Sequence, residues 1–144
     1  MEAFEKRVRE SFSRQPAMAT MGAAMVEVRR GHVVIEMDHD DKLTQQHGFL
    51  HGGVVAAVLD SACGYAALTL LPADAGILTI EFKVNLLAPA KGERFRFEGE
   101  VVKPGRTISV VDGVAHAIRE GETKRIATMT ATMMTVTGRD DVKD

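Results

Sequence analysis

Between Gln45 and Leu71 the chain reads Gln45-Gln46-His47-Gly48-Phe49-Leu50-His51-Gly52-Gly53 and then runs into an almost wholly apolar stretch with one acid, Asp60. Two kinds of chemistry are set out on that one element. A helix start leaves backbone N–H groups unpaired and carries partial positive charge, so it holds anions and polarised carbonyl oxygens. Gly52 and Gly53, without side chains, let such an oxygen come close. A carboxylate about two turns further on, among apolar residues, is costly unless it is paired or used. Its neighbours at helical spacing are Ala56, Ala57, Cys63 and Gly64, all small, so a backbone or a thin ligand arm can reach it. The pattern offers an electrophile-activating end and a base. A buried acid held by a packing strand, beside a merely flexible glycine pair, accounts for the same residues without catalysis, and spacing alone does not choose.

Other reactive side chains are weaker candidates. His47 and His51 stand four apart with Asp38, His39 and Asp41 nearby, and HxxxH on a helix can bind zinc. Gly48 and the following His-Gly-Gly favour a loop there, and no third ligand has a defined spacing. No metal is expected. Cys63 has no neighbour in sequence that would lower its pKa and reads as a small buried residue. Ser61 lacks a GxSxG elbow, so it is no nucleophile; beside Asp60 it is a candidate for substrate contact. His32 falls in a turn and His116 in a strand, and Met129, Met133 and Met134 read as core packing.

These groups need elements to position them. Phe4, Val8 and Phe12 form one stripe of a short amphipathic helix over Glu2–Gln15, stopped by Pro16. Met21–Arg30 and His32–Asp38 are extended and joined at Gly31, as in a hairpin. The stretch from Val54 to Leu71 is apolar on every side, which predicts a buried central helix. It is short for a membrane span, and Asp60 at mid-bilayer would cost roughly 2.5–3.5 kcal/mol. Beyond Gly76, Leu78, Ile80, Phe82, Val84 and Leu86 alternate with Thr79, Glu81, Lys83 and Asn85, predicting a strand with one buried face. Arg94–Lys103, Thr107–Arg119 and Lys124–Thr137 follow as strands, and Gly138–Asp144 reads as a loose polar tail. The chain therefore predicts one α+β domain over residues 1–144: an antiparallel sheet of five to six strands around one long helix, with a short helix in residues 1–16.

Composition excludes several functions. With 144 residues, 45% apolar and 26% charged, a folded domain with a real core is expected. A net charge of −2 gives no reason to expect nucleic acid or an anionic membrane as partner. A single cysteine excludes an internal disulfide, and the first residues carry no secretory signal, so the expected location is cytoplasmic. A sheet wrapped on an apolar helix leaves surplus sticky surface, which predicts a homo-oligomer.

Three segments together carry a family resemblance: Gln45…His51-Gly52-Gly53…Asp60, Thr79-Ile80-Glu81-Phe82-Lys83-Val84-Asn85-Leu86-Leu87-Ala88-Pro89-Ala90, and Val102-Lys103-Pro104-Gly105-Arg106-Thr107. Across about Gly22 to Thr137 the chain resembles the hotdog-fold acyl-CoA thioesterases, in particular the phenylacetate-degradation type. The resemblance implies a dimer or dimer of dimers with active sites at the subunit boundary, an acyl-CoA substrate and no cofactor. It implies that Asp60 is general base or nucleophile and that the Gly52 N–H binds the thioester oxygen. Gln45 would hold the thioester or the water, His51 would support the arrangement, and Thr79 would assist the water or the carboxylate. Gly53 and Ser61 would touch substrate, and Lys103 and Arg106 the nucleotide end of coenzyme A. Hotdog folds also include hydratases and dehydratases, whose usual Asp/His loop is absent here, and a non-catalytic acyl-CoA or acyl-carrier-protein binding module is the remaining alternative.

Overall fold

The apolar stretch after the glycines forms one helix, and a sheet is bent around it. The computed structural model describes residues 1–144. Its elements are α1 (Ala3–Ser13), α2 (Pro16–Thr20), β1 (Ala24–Arg29), β2 (His32–Asp38), α3 (Gly52–Leu68), β3 (Gly76–Leu86), β4 (Arg94–Lys103), β5 (Ile108–Arg119) and β6 (Glu122–Val136). Short 3-10 turns lie at Asp41–Leu43 and Asp140–Val142. Six antiparallel strands form one sheet in the order β1-β2-β4-β5-β6-β3. This is the hotdog arrangement that the resemblance implies. No helix is long and apolar enough to cross a membrane.

α3 is buried around most of its circumference, including Val55, Val58, Leu59, Ala62, Cys63 and the run Tyr65–Leu68. Phe95 and Phe97 of β4 and Val111 and Ala115 of β5 complete the core, all fully buried. The sheet approaches the helix most closely where Gly99 of β4 pairs with Gly113 of β5. A Cβ on Gly99 would stand 2.4 Å from the Ala62 carbonyl oxygen, and one on Gly113 would stand 2.9 Å from Cys63 Sγ. Two opposed glycines thus let the sheet fold over the waist of the helix.

Four local expectations change. Pro16 does more than stop α1: it takes the first position of α2, where its fixed φ suits a helix start, with Gln15 as N-cap. α3 begins at Gly52, so the two glycines are its first turn rather than the loop before it. β3 does not bury one face. It is an outer strand, and Leu78, Ile80, Phe82 and Leu86 are 44%, 52%, 42% and 56% exposed. α3 meets β3 where Asp60 faces Thr79, but the outer edge of the strand pairs with nothing, and a bulge between Thr79 and Glu81 interrupts the alternation at Ile80. Finally, Gly138–Asp144 is not loose. It lies against the start of β3, tied by Asp144, whose carboxylate accepts from Ser11 Oγ at 2.8 Å and from Ile77 N at 3.1 Å.

The two sheet edges are treated differently. At the β1 edge, Arg9 of α1 donates to the Met25 carbonyl at 3.1 Å. Beside it Arg96 pairs with Glu98 at 2.9 Å and Glu36 at 3.2 Å, and His32 meets Glu98 at 3.2 Å. Burial opposes ionisation of Glu98, but these partners outweigh it and hold its carboxyl below the usual range. The β3 edge has no such cover.

The far end of α3 is closed by α1. Arg7 donates to the carbonyls of Leu68 (2.8 Å), Leu71 (3.0 Å) and Pro72 (2.6 Å), satisfying groups that a helix C-terminus leaves orphaned. We expect Arg7→Ala to lower stability by about 2–3 kcal/mol in urea unfolding with an unchanged m-value. Arg7→Lys should recover only part of that loss, because an ammonium lacks the planar fork. Equal stability of all three proteins would show that this cap contributes nothing.

Candidate active site

The loop before α3 is built around one side chain. Gln45 Oε1 accepts from the backbone N–H of His47 at 2.6 Å and of Phe49 at 3.2 Å, and Gln45 N donates to the Phe49 carbonyl at 2.9 Å. With its oxygen so engaged, the carboxamide has its NH2 left to offer. His51 is the N-cap of α3: its Nδ1 accepts from Gly53 N at 2.8 Å. Nδ1 is therefore the unprotonated nitrogen, and Nε2 carries the hydrogen.

That cap separates the two glycines. The N–H of Gly53 is taken by His51, whereas the N–H of Gly52 has no acceptor in the chain. Gly52 and Gln45 line the same cleft, about 460 Å³, whose other walls are mainly apolar and include Phe49, Leu86, Leu87 and Ile126. Two hydrogen-bond donors thus border one hydrophobic groove. A Cβ on Gly52 would stand 2.7 Å from Leu86 Cδ1, so the bare glycine keeps that groove open.

Asp60 lies elsewhere. It is half-buried, and its Oδ1 accepts from Thr79 Oγ1 at 2.7 Å. The same hydroxyl stands 3.3 Å from Met133 Sδ. A second cleft of about 190 Å³ is lined by Asp60, Ser61, Gly64, Tyr65, Ile77, Leu78, Thr79, Gln15 and Asp144. Ser61 Oγ donates to Gln15 Oε1 at 3.1 Å, and Tyr65 Oη and Ser11 Oγ are 3.2 Å apart. Burial pushes the Tyr65 phenol up, so at neutral pH it is a neutral hydroxyl. Burial next to Asp60 and Asp112 pushes the Cys63 thiol up to about 12, which leaves it without thiolate character.

The structure therefore brings the sequence candidates together in two groups. Asp60, Thr79 and Ser61 share one cleft, and Gln45 and Gly52 share another, with His51 capping the helix between them. Eight residues of α3 separate Gly52 from Asp60, about 12 Å along the axis. Lys103 and Arg106 are exposed on the β4–β5 turn and line neither cleft. No group of three or more His, Cys, Asp or Glu side chains is arranged to hold a metal ion, and His47, exposed in its loop, joins none. Sequence reasoning missed Gln15, Tyr65, Met133 and Asp144. Gln15, Met133 and Asp144 come from distant segments, and Tyr65, though five residues after Asp60 on α3, carries no local signal that sets it apart from the core residues around it.

Known proteins share this architecture. The description "Thioesterase superfamily" matches residues 47–124, more than half of the chain. A thioesterase family protein from Silicibacter pomeroyi is 57% identical, with a TM-score of 0.94, covering 94% of this chain and all of that one. A Saccharolobus solfataricus protein designated an esterase is 34% identical over 88 residues, 61% of this chain, which spans 62% of that relative's length. Acyl-coenzyme A thioesterase 13 of Homo sapiens is 29% identical over 86 residues, covering 59% of this chain and 61% of that one. With a six-stranded sheet wrapped on one helix and a match running from the loop before that helix into β6, the chain belongs to the thioesterase superfamily.

Proposed function

We propose that this chain is a cytoplasmic acyl-CoA thioesterase acting on aryl or medium-chain acyl groups, working as a homodimer or dimer of dimers in which each site is shared by two copies. The observation that carries the reading is the division just described. One copy holds a carboxylate with a hydroxyl on it, and its free helix-start N–H lies in a different cleft. A second copy supplies what each cleft lacks. The apolar, unpaired edge of β3 supports the same reading, since Leu78, Ile80, Phe82 and Leu86 line a strand edge that pairs readily with another. Thr79 sits on that strand, so joining two edges carries each Asp60–Thr79 pair toward the partner's helix start.

The chemistry follows from the groups. A thioester carbonyl gains negative charge on oxygen when attacked, and the Gly52 N–H with the Gln45 NH2 meets that charge without reorganising. Asp60 takes a proton from water as the oxygen bonds to the carbonyl carbon; collapse then breaks the C–S bond, and the leaving CoA thiolate takes that proton back from Asp60. In the nucleophilic form, Asp60 attacks first and expels the CoA thiolate as the C–S bond breaks, and water then hydrolyses the resulting anhydride to the free acid and the Asp60 carboxylate. Thr79, donating to Oδ1, orients the carboxylate and leaves Oδ2 for the reacting partner. The β5–β6–β3 register sets Ile108 beside Met134 and Met134 beside Leu78. Lys103, paired with Val110 at the end of β4, stands one strand further out, three spacings or about 14 Å from Glu81 of β3, and the contact of Lys103 and Arg106 with a nucleotide is what the resemblance implies.

Free-thiol release on a panel of acyl-CoAs tests the activity: turnover supports it, and binding without release would make the chain a carrier. Asp60→Asn should fold and assemble yet lose on the order of 10²–10⁴ in kcat. Gly52→Pro removes the N–H at the first helical position, where proline is tolerated, and should cost on the order of 10²–10³. Mixing these two inactive proteins under exchange conditions tests the sharing. Random heterodimers hold one intact site, so about a quarter of wild-type activity should return. A mixture that stays dead would place the whole site within one chain.

A further inference from the structure

We infer that the segment Gly138–Asp144 and Gln15 together form the end wall of the acyl-binding cleft and narrow the aryl and medium-chain range proposed above to its compact members. This rests on the acyl-CoA reading above. The cleft that begins at Asp60 and Thr79 runs between α3 and the start of β3, over Gly64, Ile77 and Leu78, and meets Gln15 and Asp144. A thioester at Asp60 has two arms. The coenzyme arm ends in a nucleotide that needs an open path, so the arm entering this walled cleft is the acyl one. One copy contributes about 190 Å³ of this space, with Gln15 and Asp144 at its far end.

The wall is built, not incidental. Asp144 uses one carboxylate oxygen on Ser11 and the other on Ile77 N, joining the segment to α1 and to β3 at once. The backbone comes in so close that a Cβ on Gly76 would stand 1.5 Å from the Val142 carbonyl oxygen, a place only glycine allows. Gln15 is fixed from the other side by Ser61 Oγ. The wall facing the cleft is thus a carboxylate and a carboxamide. A long alkyl chain has to displace them or strip water from a charge, and neither is favourable. A short or flat acyl group stops before reaching them.

The test moves the wall in two independent ways. Asp144→Ala releases the segment by removing both hydrogen bonds, and Gly76→Ala pushes it off by volume alone while keeping Asp144. For wild type and both variants, hydrolysis of butanoyl-, phenylacetyl- and dodecanoyl-CoA is measured, together with calorimetric binding of the matching non-hydrolysable thioethers. The expected result is a rise of about tenfold or more in the dodecanoyl-to-butanoyl ratio, in kcat/KM and in affinity alike. Ratios within twofold of wild type in the folded variants would overturn the inference. Thioethers that bind with the expected shift, with no hydrolysis by wild type, would sink the thioesterase reading and leave the wall standing. No binding of any thioether would sink both.

Discussion

A helix that is apolar on every side has to be covered on every side, and the rest of this molecule answers to that requirement. The cover is a bent sheet, brought into contact at Ala62–Cys63 by the opposed pair Gly99 and Gly113. Because the sheet closes on the middle of α3, both ends of the helix are left for other uses. One end is capped by His51 and presents a free N–H at Gly52. The other is closed by Arg7 from α1. β3 ends the sheet, so its outer edge is left unpaired. Burial of α3, the open helix start and the sticky edge are consequences of one packing problem.

The same geometry explains why a single chain looks unfinished. Placing acid and donor on one straight rod keeps them about 12 Å apart, since a helix advances only about 1.5 Å per residue. Folding cannot shorten that distance. A second rod lying alongside can, and the strand that carries Thr79 is the one whose edge is bare. In the proposed shared site, the helix sets the distance between complementary groups and self-association reunites them. Within each half the preparation is already done. Gln45 has its oxygen locked by its own loop, and Thr79 has its proton committed to Asp60.

Around Asp60 the surroundings are more polar than a core cleft needs to be. Gln15, Ser61, Tyr65, Ser11 and Asp144 form a linked series of hydrogen-bonding groups contributed by α1, the α1–α2 junction, α3 and the last residues described. Each member satisfies another, so the network stays inside the fold at little cost while giving the cleft a charged limit. Gln15 and Asp144, from two segments far apart in the chain, thereby line the cleft that holds Asp60.

Much of this was legible in the order of residues. The buried helix, its lone acid, the glycines at its start, the hairpin at Gly31 and the later strands all follow from periodicity, burial cost and turn chemistry, which act over a few residues. Family resemblance then pointed to Asp60, Gly52, Gln45, His51 and Thr79, and of these the structure sets Asp60 against Thr79 and Gln45 beside Gly52. Tertiary structure decided what local rules cannot reach. A clean alternation in β3 reports two chemically distinct faces, not whether anything lies against them; strand order put it on the edge. Nothing in Gly138–Asp144 announces docking, because the vacancy that receives it is the missing side chain of Gly76, over sixty residues earlier. Gly53 matches Gly52 in sequence, yet its N–H is donated to His51 Nδ1, and only that of Gly52 is left without an acceptor. Local interactions select the elements, and only their packing determines which polar groups are left without partners.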